Sequence, residues 1–480
     1  MYRPWLILVC LCPCLLPYPS AWAADQAYLQ QLTREAGQRQ LQAAPEWRAL
    51  LHYKADLLGG GYTSEAVTPG FFLAAGGRTH PGAELRATLA SFFAAPAPGD
   101  PDAGSQCRFI ARYRWLKQEL HFDPARLPQT PCPHFDAWYR AIDPDRLVLI
   151  FPAAYVNNPS SMFGHTFLRF DHPRQPRNTH LESYAVNFAA QTRESNGLIF
   201  AIKGLTGLYP GEYSLEPYYK AVNAYSDIEN RDIWEYQLDY SPAEIRRILE
   251  HVWELRDVAF RYYFFNRNCS YAVLALLDVA RPQLRLTHRF VYQVIPSNTV
   301  KAVLAQQGVL LETTYRPSLL ARTRYRLQHM DPHDRRLALD VATRQLPPDA
   351  SAITALAPER QALIYESAAD YLLYQGNRGQ LPKRDYGPLT LAILRARSRV
   401  QSHEVLPSMP IPDTDPVLGH GSSRSSLDVG RLAGEDYREI ELRAAYHDLL
   451  DPPAGFVDGA QIDMFALALR DSGPRHNTRL

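Results

Sequence analysis

The hydrophobic pattern of the chain changes character three times. Up to about residue 142 it alternates between helical periods and Gly/Pro-rich loops. Pro45-Glu46 opens one helix, residues 84–94 form a second, and residues 112–120 and 134–142 form shorter ones. From Arg146 the period shortens. RLVLIFPA (146–153), HTFLRFD (165–171), LESYAVNFAA (181–190) and DIWEYQLDY (232–240) are rich in β-branched and aromatic residues and predict strands. Ser241-Pro242-Ala243-Glu244 is a capping box with proline at the first helical position, and it predicts a helix to about Arg256. A very aromatic segment, residues 260–265, leads through Asn266-Arg267-Asn268 to Cys269. The apolar run 271–280 then predicts a buried helix that stops at Arg281-Pro282. Strands followed by a buried helix predict an α+β core.

From about residue 300 to 401 the pattern is mostly helical, with helices predicted near 335–344, 358–374 and 388–402. A Pro-rich linker, residues 406–416, marks a boundary. Beyond it Ile440, Leu442, Ala444 and Tyr446 alternate with polar or small residues, and 462–469 predicts a further strand after a turn-rich stretch. Such alternation resembles the start of an outer-membrane barrel. A small soluble β-hairpin appendage fits the same pattern, because too few strands are present to close a barrel. The expected organisation is therefore residues 1–23 as a leader, a helical region 24–142, an α+β domain 143–300, a helical region 301–405, and a linker with a β-rich segment 406–480. The linker predicts that the last segment packs separately from the rest.

The leader reading rests on Arg3, an apolar stretch from Leu6 to Leu16 interrupted by Pro13, and Ala21-Trp22-Ala23. Together these predict a secretory signal peptide cut after Ala23. The apolar run falls short of the roughly 20 residues a membrane span needs. None of Cys10, Cys12 and Cys14 follows the small residues of a lipoprotein cleavage box. No later stretch is long and apolar enough to cross a bilayer as a helix. The formal net charge is +1 with arginines scattered among acids, which argues against nucleic-acid binding. Export to an oxidising compartment makes cysteine parity informative. Cys107 and Cys132 lie near each other in loop-forming surroundings and predict a disulfide, which leaves Cys269 alone.

Cys269 is the leading catalytic candidate. A thiol in the first turn of a helix faces orphan N–H groups and the positive end of the helix dipole, and both favour thiolate. Such a nucleophile needs a base, and His165 follows Gly164 where a small-residue loop enters a strand. Ser183 and Asn187 fall on one face of the neighbouring strand. Asn187 is the expected orienting group, since an amide holds an imidazole tautomer without adding charge. Asn158 and Ser160 before the histidine, and Asn268 beside the cysteine, are the candidate substrate-binding groups. The aromatic segment 262–265 either lines an acyl groove or is core strand, the commoner case. His329, Asp331, His333 and Asp334 have metal-ligand chemistry, yet Asp331-Pro332 with Asp334 in the first turn reads better as a helix start. His447-Asp448 reads as turn chemistry. No metal and no cofactor are expected.

Three strings add to this reading. NNPSSMFGHTFLRF (157–170), SYAVNFAA (183–190) and YYFFNRNCSY (262–271) resemble the signature blocks of the Lnb-type family, the N-terminal periplasmic domain of a lipoprotein N-acyltransferase. The resemblance spans residues 146–296, and the flanks resemble the extra domains that accompany this domain in Gram-negative bacteria. Its order, histidine strand before cysteine helix, is similar to circularly permuted NlpC-type papain-like enzymes. These include lecithin–retinol acyltransferase relatives, which move acyl chains through a cysteine thioester. The resemblance implies Cys269 as nucleophile and His165 as base, whereas Asn187 rests on strand geometry alone. It also implies a periplasmic or outer-membrane location, a lipid or lipoprotein acyl substrate, and contact with the envelope membrane surface. The characterised acyltransferase type carries membrane helices after its catalytic domain, so the reaction expected here is the broader one, thiol acyl transfer or hydrolysis. A non-catalytic envelope scaffold or lipoprotein-binding module, and a peptidoglycan amidase or peptidase, are the alternatives.

Overall fold

A computed structural model describes residues 21–56, 59–94, 101–153, 163–173, 177–192, 196–402, 406, 409–432, 434–456, 459–472 and 476–479. Most of the expected leader, and both Asn158 and Ser160, lie outside the described residues. Helices α1 (Ala21–Gln38), α2 (Pro45–Leu50), α3 (Pro81–Ser91), α4 (Ser105–Arg108), α5 (Ile110–Leu120) and α6 (Pro133–Ile142) build the N-terminal region. Proline in the first turn starts α2, α3 and α6, where its missing N–H costs nothing. A disulfide joins Cys107 of α4 to Cys132, the residue that precedes α6. A short antiparallel hairpin, β1 (Tyr53–Ala55) and β2 (Tyr62–Ser64), interrupts the helices. Three-residue strands are too brief to leave a periodic signal in the sequence.

The central sheet has seven strands: β3 (Arg146–Pro152), β4 (Phe167–Asp171), β5 (Tyr184–Ala190), β6 (Tyr209–Pro217), β7 (Ile233–Leu238), β8 (Ala259–Tyr262) and β9 (Leu310–Arg316). They run in the order β8-β6-β5-β4-β3-β7-β9 with every pair antiparallel. Between them come α7 (Gly197–Thr206), α8 (Tyr218–Val222), α9 (Pro242–Leu255), α10 (Cys269–Ala280) and α11 (Pro296–Leu304). Leu147, Leu149 and Phe151 share a core with α9 and α10, while Val148 and Ile150 pack with Tyr218 of α8. Both faces of β3 are covered, which is why it reads as an unbroken apolar run. Charged residues buried in the sheet, Arg169 and Asp171 of β4 among them, gather around Glu235 of β7. It accepts from Arg169 at 2.6 Å, Tyr218 Oη at 2.9 Å and Arg316 at 3.0 Å, so the carboxylate is neutralised where it lies.

The N-terminal region docks onto this sheet layer through α9. Arg112 of α5 is fully buried and pairs with Glu84 at 3.2 Å and Glu254 of α9 at 3.6 Å. His52 Nε2 lies 2.9 Å from His251 Nε2. The expected helical stretch 301–405 needs one correction, because β9 lies inside it and extends the central sheet beside β7. Its LLETTYR sequence is polar and half exposed at the sheet edge, so it lacks the apolar signature of the inner strands. The rest is helical: α12 (Leu319–Gln328), α13 (Pro332–Ala342), α14 (Ser351–Thr354), α15 (Pro358–Asn377) and α16 (Lys383–Ser398) pack around Val341, Ile364 and Ala368.

The last segment is a four-stranded antiparallel meander, β10 (Arg424–Leu432), β11 (Glu435–His447), β12 (Ile462–Asp471) and β13 (His476–Arg479). Ile440 stands in register with Leu427 on one side and Leu469 on the other, and this apolar face points outward. The sheet is open among the described residues. The expected separate packing is corrected as well. Phe163, Ile295, Ala445 and Ile462 form one buried cluster, and Tyr236 Oη of β7 donates to Asp415 Oδ1 at 2.7 Å. Lys301 of α11 donates to the Gly419 carbonyl at 2.6 Å and the His420 carbonyl at 2.8 Å. The Pro-rich stretch therefore leads the chain back onto the α+β domain instead of away from it. Among the described residues no helix is long and apolar enough to cross a membrane.

Candidate active site

Helix α10 begins at Cys269 because Asn268 caps it. Asn268 Oδ1 accepts from Ser270 N at 3.1 Å and Tyr271 N at 3.3 Å, and Nδ2 donates to the carbonyls of Val294 at 2.7 Å and Phe264 at 3.0 Å. The amide is thus spent on structure. All twelve residues of α10 are buried, so the positive end of the helix opens in the protein interior, with Cys269 2 % exposed. There the orphan N–H groups and the dipole act with little screening.

His165 reaches the same point from the sheet. It lies two residues before β4 begins, a small shift from the expected first strand position. Gly164 makes this approach feasible: its φ is +97°, and a Cβ there would stand 2.5 Å from the Phe151 ring. His165 Nε2 is 2.8 Å from Asn187 Oδ1, so the ring presents Nδ1 to Cys269, with which it shares a side-chain hydrogen bond. Between the two expected orienting groups, the geometry selects Asn187 over Ser183. Thr166 Oγ1 donates to Ser270 Oγ at 2.8 Å and ties the histidine segment to the cysteine helix. Arg231 donates to the Ala153 carbonyl at 2.7 Å and the Pro152 carbonyl at 2.8 Å, which fixes the end of β3 against which His165 rests.

Burial alone pushes the Cys269 thiol up and the His165 imidazole down. Their mutual attraction and hydrogen bond reverse both: the thiol falls to about 7 and the imidazole rises above its ordinary value. A hydrogen bond from the Thr166 N–H assists the thiolate, and Arg231 opposes the imidazolium. The two groups titrate as a pair whose favoured charged form is thiolate–imidazolium. This is the activation that a nucleophilic cysteine requires.

Two site groups escaped the sequence reading. The Tyr262 hydroxyl accepts from the Cys269 backbone N–H and also bonds the thiol, and burial pushes its pKa well above the ordinary value. A neutral phenol and a helix-start N–H thus meet beside the Cys269 thiol, an arrangement able to stabilise a charged oxygen. In sequence Tyr262 is one aromatic among several, so its role was hidden in what reads as core strand. Tyr225 lies on a π-helical turn, Asn223–Ile228, with its ring centroid 5.5 Å from that of His165. Such turns recur at functional sites, but they leave no pattern in a sequence.

Beside the pair an apolar groove of about 80 Å³ is lined by Phe163, Gly164, Leu205, Phe264, Phe265 and Ile295, among others. A more polar cleft of about 270 Å³ is lined by Asn187, Glu216, Lys220, Tyr225 and neighbours. The expected metal-like set after α12 is a helix start: Asp331 Oδ1 caps His333 N at 2.8 Å, and Asp334 pairs with Arg360 at 2.7 Å. Elsewhere His420, His447 and Asp451 bring three ligand-type atoms within 4.8 Å of one another. The imidazoles of His420 and His447 lie within 9° of parallel and face each other across a 2.8 Å Nε2···Nδ1 hydrogen bond. That bond occupies the lone pair an ion would need.

Residues 134–306 match the family described as the Lnb N-terminal periplasmic domain. The match includes Cys269, His165 and Asn187. Residues 39–119, 313–409 and 413–480 match three families, each described as a domain of unknown function. No curated protein and no solved structure matches the chain.

Proposed function

We propose that this is an exported envelope protein whose α+β domain is a thiol acyltransferase or hydrolase, acting on lipid or lipoprotein acyl groups through a thioester on Cys269. The observation that carries the reading is the hydrogen-bonded Cys269–His165–Asn187 array at the buried start of α10. In this mechanism Cys269 thiolate adds to an acyl ester carbonyl. The oxyanion is met by the Cys269 N–H and the Tyr262 hydroxyl. As the carbon–oxygen bond breaks, His165 gives its proton to the leaving alcohol, and a thioester remains. An acceptor amine or water then loses a proton to His165 and attacks the thioester, which restores the thiolate. Asn187 holds the imidazole through Nε2 in both halves. This histidine-before-cysteine arrangement is the one a permuted papain-like core would give.

The apolar groove beside Gly164 favours an acyl chain over a peptide as the group carried to the thiol. With Cys269 2 % exposed, the carbonyl enters along that groove. Intact-mass measurement of the protein after incubation with envelope lipids tests the reading: an acyl adduct on Cys269 that hydroxylamine removes is expected. No adduct, together with release of peptides from cell-wall fragments, would favour the amidase or peptidase alternative. No adduct and an unreactive thiol would favour a scaffold or lipoprotein-binding module.

The same reading places the protein in the periplasm or at the outer membrane, delivered by the leader 1–23. A membrane-facing role for the last segment is supported by Leu427 and Val429, exposed by 82 % and 81 %, on the outward face of its sheet.

A further inference from the structure

We propose that the cavity between α2, β1 and the turns that follow α10 is a binding site for a phosphate-class anion, either free phosphate or the headgroup of a phospholipid. This site goes beyond the acyl-transfer reading and does not depend on it. The cavity has a volume of about 380 Å³. It lies further along the helix that carries the nucleophile: Ala275 and Asp278 line its wall. Asp278 stands about 13 Å along the axis from Cys269.

Three cationic side chains from three segments converge on this space, Arg48 of α2, Lys54 of β1 and Arg285 beyond α10, with the imidazoles of His52 and His288 beside them. Two carboxylates share the wall, Glu65 and Asp278; both attract Lys54, which donates to Thr287 Oγ1 at 2.7 Å, and each has further partners. Glu65 accepts from Arg267 and from Tyr271 Oη at 2.8 and 2.9 Å. Asp278 accepts from Leu286 N at 2.7 Å, Thr287 N at 3.0 Å and Thr287 Oγ1 at 2.7 Å. Arg48 and Arg285 form no ion pair among the described residues. Arg48 Nε is buried with no hydrogen-bond partner there, although its guanidinium rests 4.5 Å over the Tyr62 ring. The convergence is felt by His288, which is held below its ordinary pKa by burial and then by Lys54 and Arg285.

Arg48 and Arg285 bring two further charges to a half-closed space without a carboxylate of their own, and an anion placed between them relieves that repulsion. The donor set favours a tetrahedral, multiply charged oxyanion over a single carboxylate. It combines guanidinium forks with a lysine point charge, the chemistry that recognises phosphate oxygens. The volume exceeds a bare phosphate and leaves room for an esterified group.

The test is calorimetric titration of the full-length protein with sodium phosphate, against sodium chloride at matched ionic strength, with a short-chain phosphatidylglycerol below its micellar concentration as a second arm. Saturable phosphate binding without a chloride equivalent is expected. Tighter binding of the lipid would identify a headgroup site, and equal binding a site for free phosphate. The pair Arg48→Gln and Arg285→Asn should weaken binding by about tenfold or more, since each removes a charged donor. Asn suits position 285, where φ is +48°. Arg285 is exposed, so Arg285→Asn alone keeps the test usable should the Arg48 change disturb α2. Alkylation of Cys269 at wild-type rate would show that these variants are folded. Absence of saturable phosphate binding up to about 10 mM, or binding unchanged in the folded variants, would overturn the proposal.

Discussion

Cys269 sits where two opposing influences meet. Its burial favours the neutral thiol, and His165 together with the Thr166 N–H favours the thiolate strongly enough to bring the pKa from 9.0 to about 7. His165→Ala therefore leaves burial in charge, and the thiol should return to 9.0 or higher. At pH 7 the thiolate fraction would fall by about fifty-fold, while the more basic thiolate recovers about eightfold in intrinsic nucleophilicity. The net expectation is alkylation slower by about sixfold at pH 7 and by about twelvefold well below it. Rates of iodoacetamide modification across pH 5–9 measure this, and superimposable profiles would remove His165 from the site. Turnover should be abolished by Cys269→Ala and by His165→Ala, with the double variant scarcely worse than either. Tyr262→Phe is the complementary test, since it deletes one hydroxyl and keeps the ring that fills the core. A loss of up to about 10²–10³-fold in kcat is expected, with a parallel fall in kcat/KM. Full activity in that variant would confine Tyr262 to packing.

At the scale of elements, α10 is the part on which the site depends most, and Asn268 is what starts it. Asn268→Ala removes the acceptor for two N–H groups and strands the Phe264 and Val294 carbonyls. A cost of about 2–4 kcal/mol is expected, read from the urea midpoint at constant m-value. Stability within about 0.5 kcal/mol of wild type would contradict the capping role. The elements also explain what the sequence disclosed. Strands β3, β4, β5 and β7 and helices α9 and α10 were legible because burial on both faces or a complete capping box writes a strong local pattern. The Cys269–His165–Asn187 array was legible for the same reason, since each residue stands at the end or on one face of such an element. Strands β6 and β9 were not legible, being half exposed and polar at or near the sheet edge. Tyr262 and Tyr225 were hidden because an aromatic residue looks alike in sequence whether it packs or donates a hydrogen bond. Asn268 was visible but its capping role was not, since only the structure shows both amide protons already committed.

For the whole molecule, the question is whether the C-terminal sheet is an appendage or part of the body that holds Cys269. The Pro-rich stretch argues for an appendage, but the contacts argue otherwise. Phe163 stands two residues before His165, and it packs against Phe456 with ring centroids 6.5 Å apart. Ile295, in the same cluster, directly follows Val294, whose carbonyl holds Asn268. Asn298 and Lys301 of α11 hold Ser422 and the carbonyls of Gly419 and His420. The tail thus touches the chain within two residues of both His165 and a partner of the helix cap. The main core and the α13–α15 core draw almost none of their buried residues from it. A chain ending at Gln401 should therefore keep its far-UV circular dichroism for the central sheet and helices. It should also lose reactivity at Cys269 near neutral pH, as His165 loosens and the thiol pKa climbs towards its buried value. Phe456→Ala, which leaves the tail in place, should shift the alkylation profile in the same direction by less. A shortened chain with the wild-type alkylation profile and thermal midpoint would show that the sheet is an independent unit after all. A shift in both, with the secondary structure intact, would show that the tail helps set the geometry around Cys269.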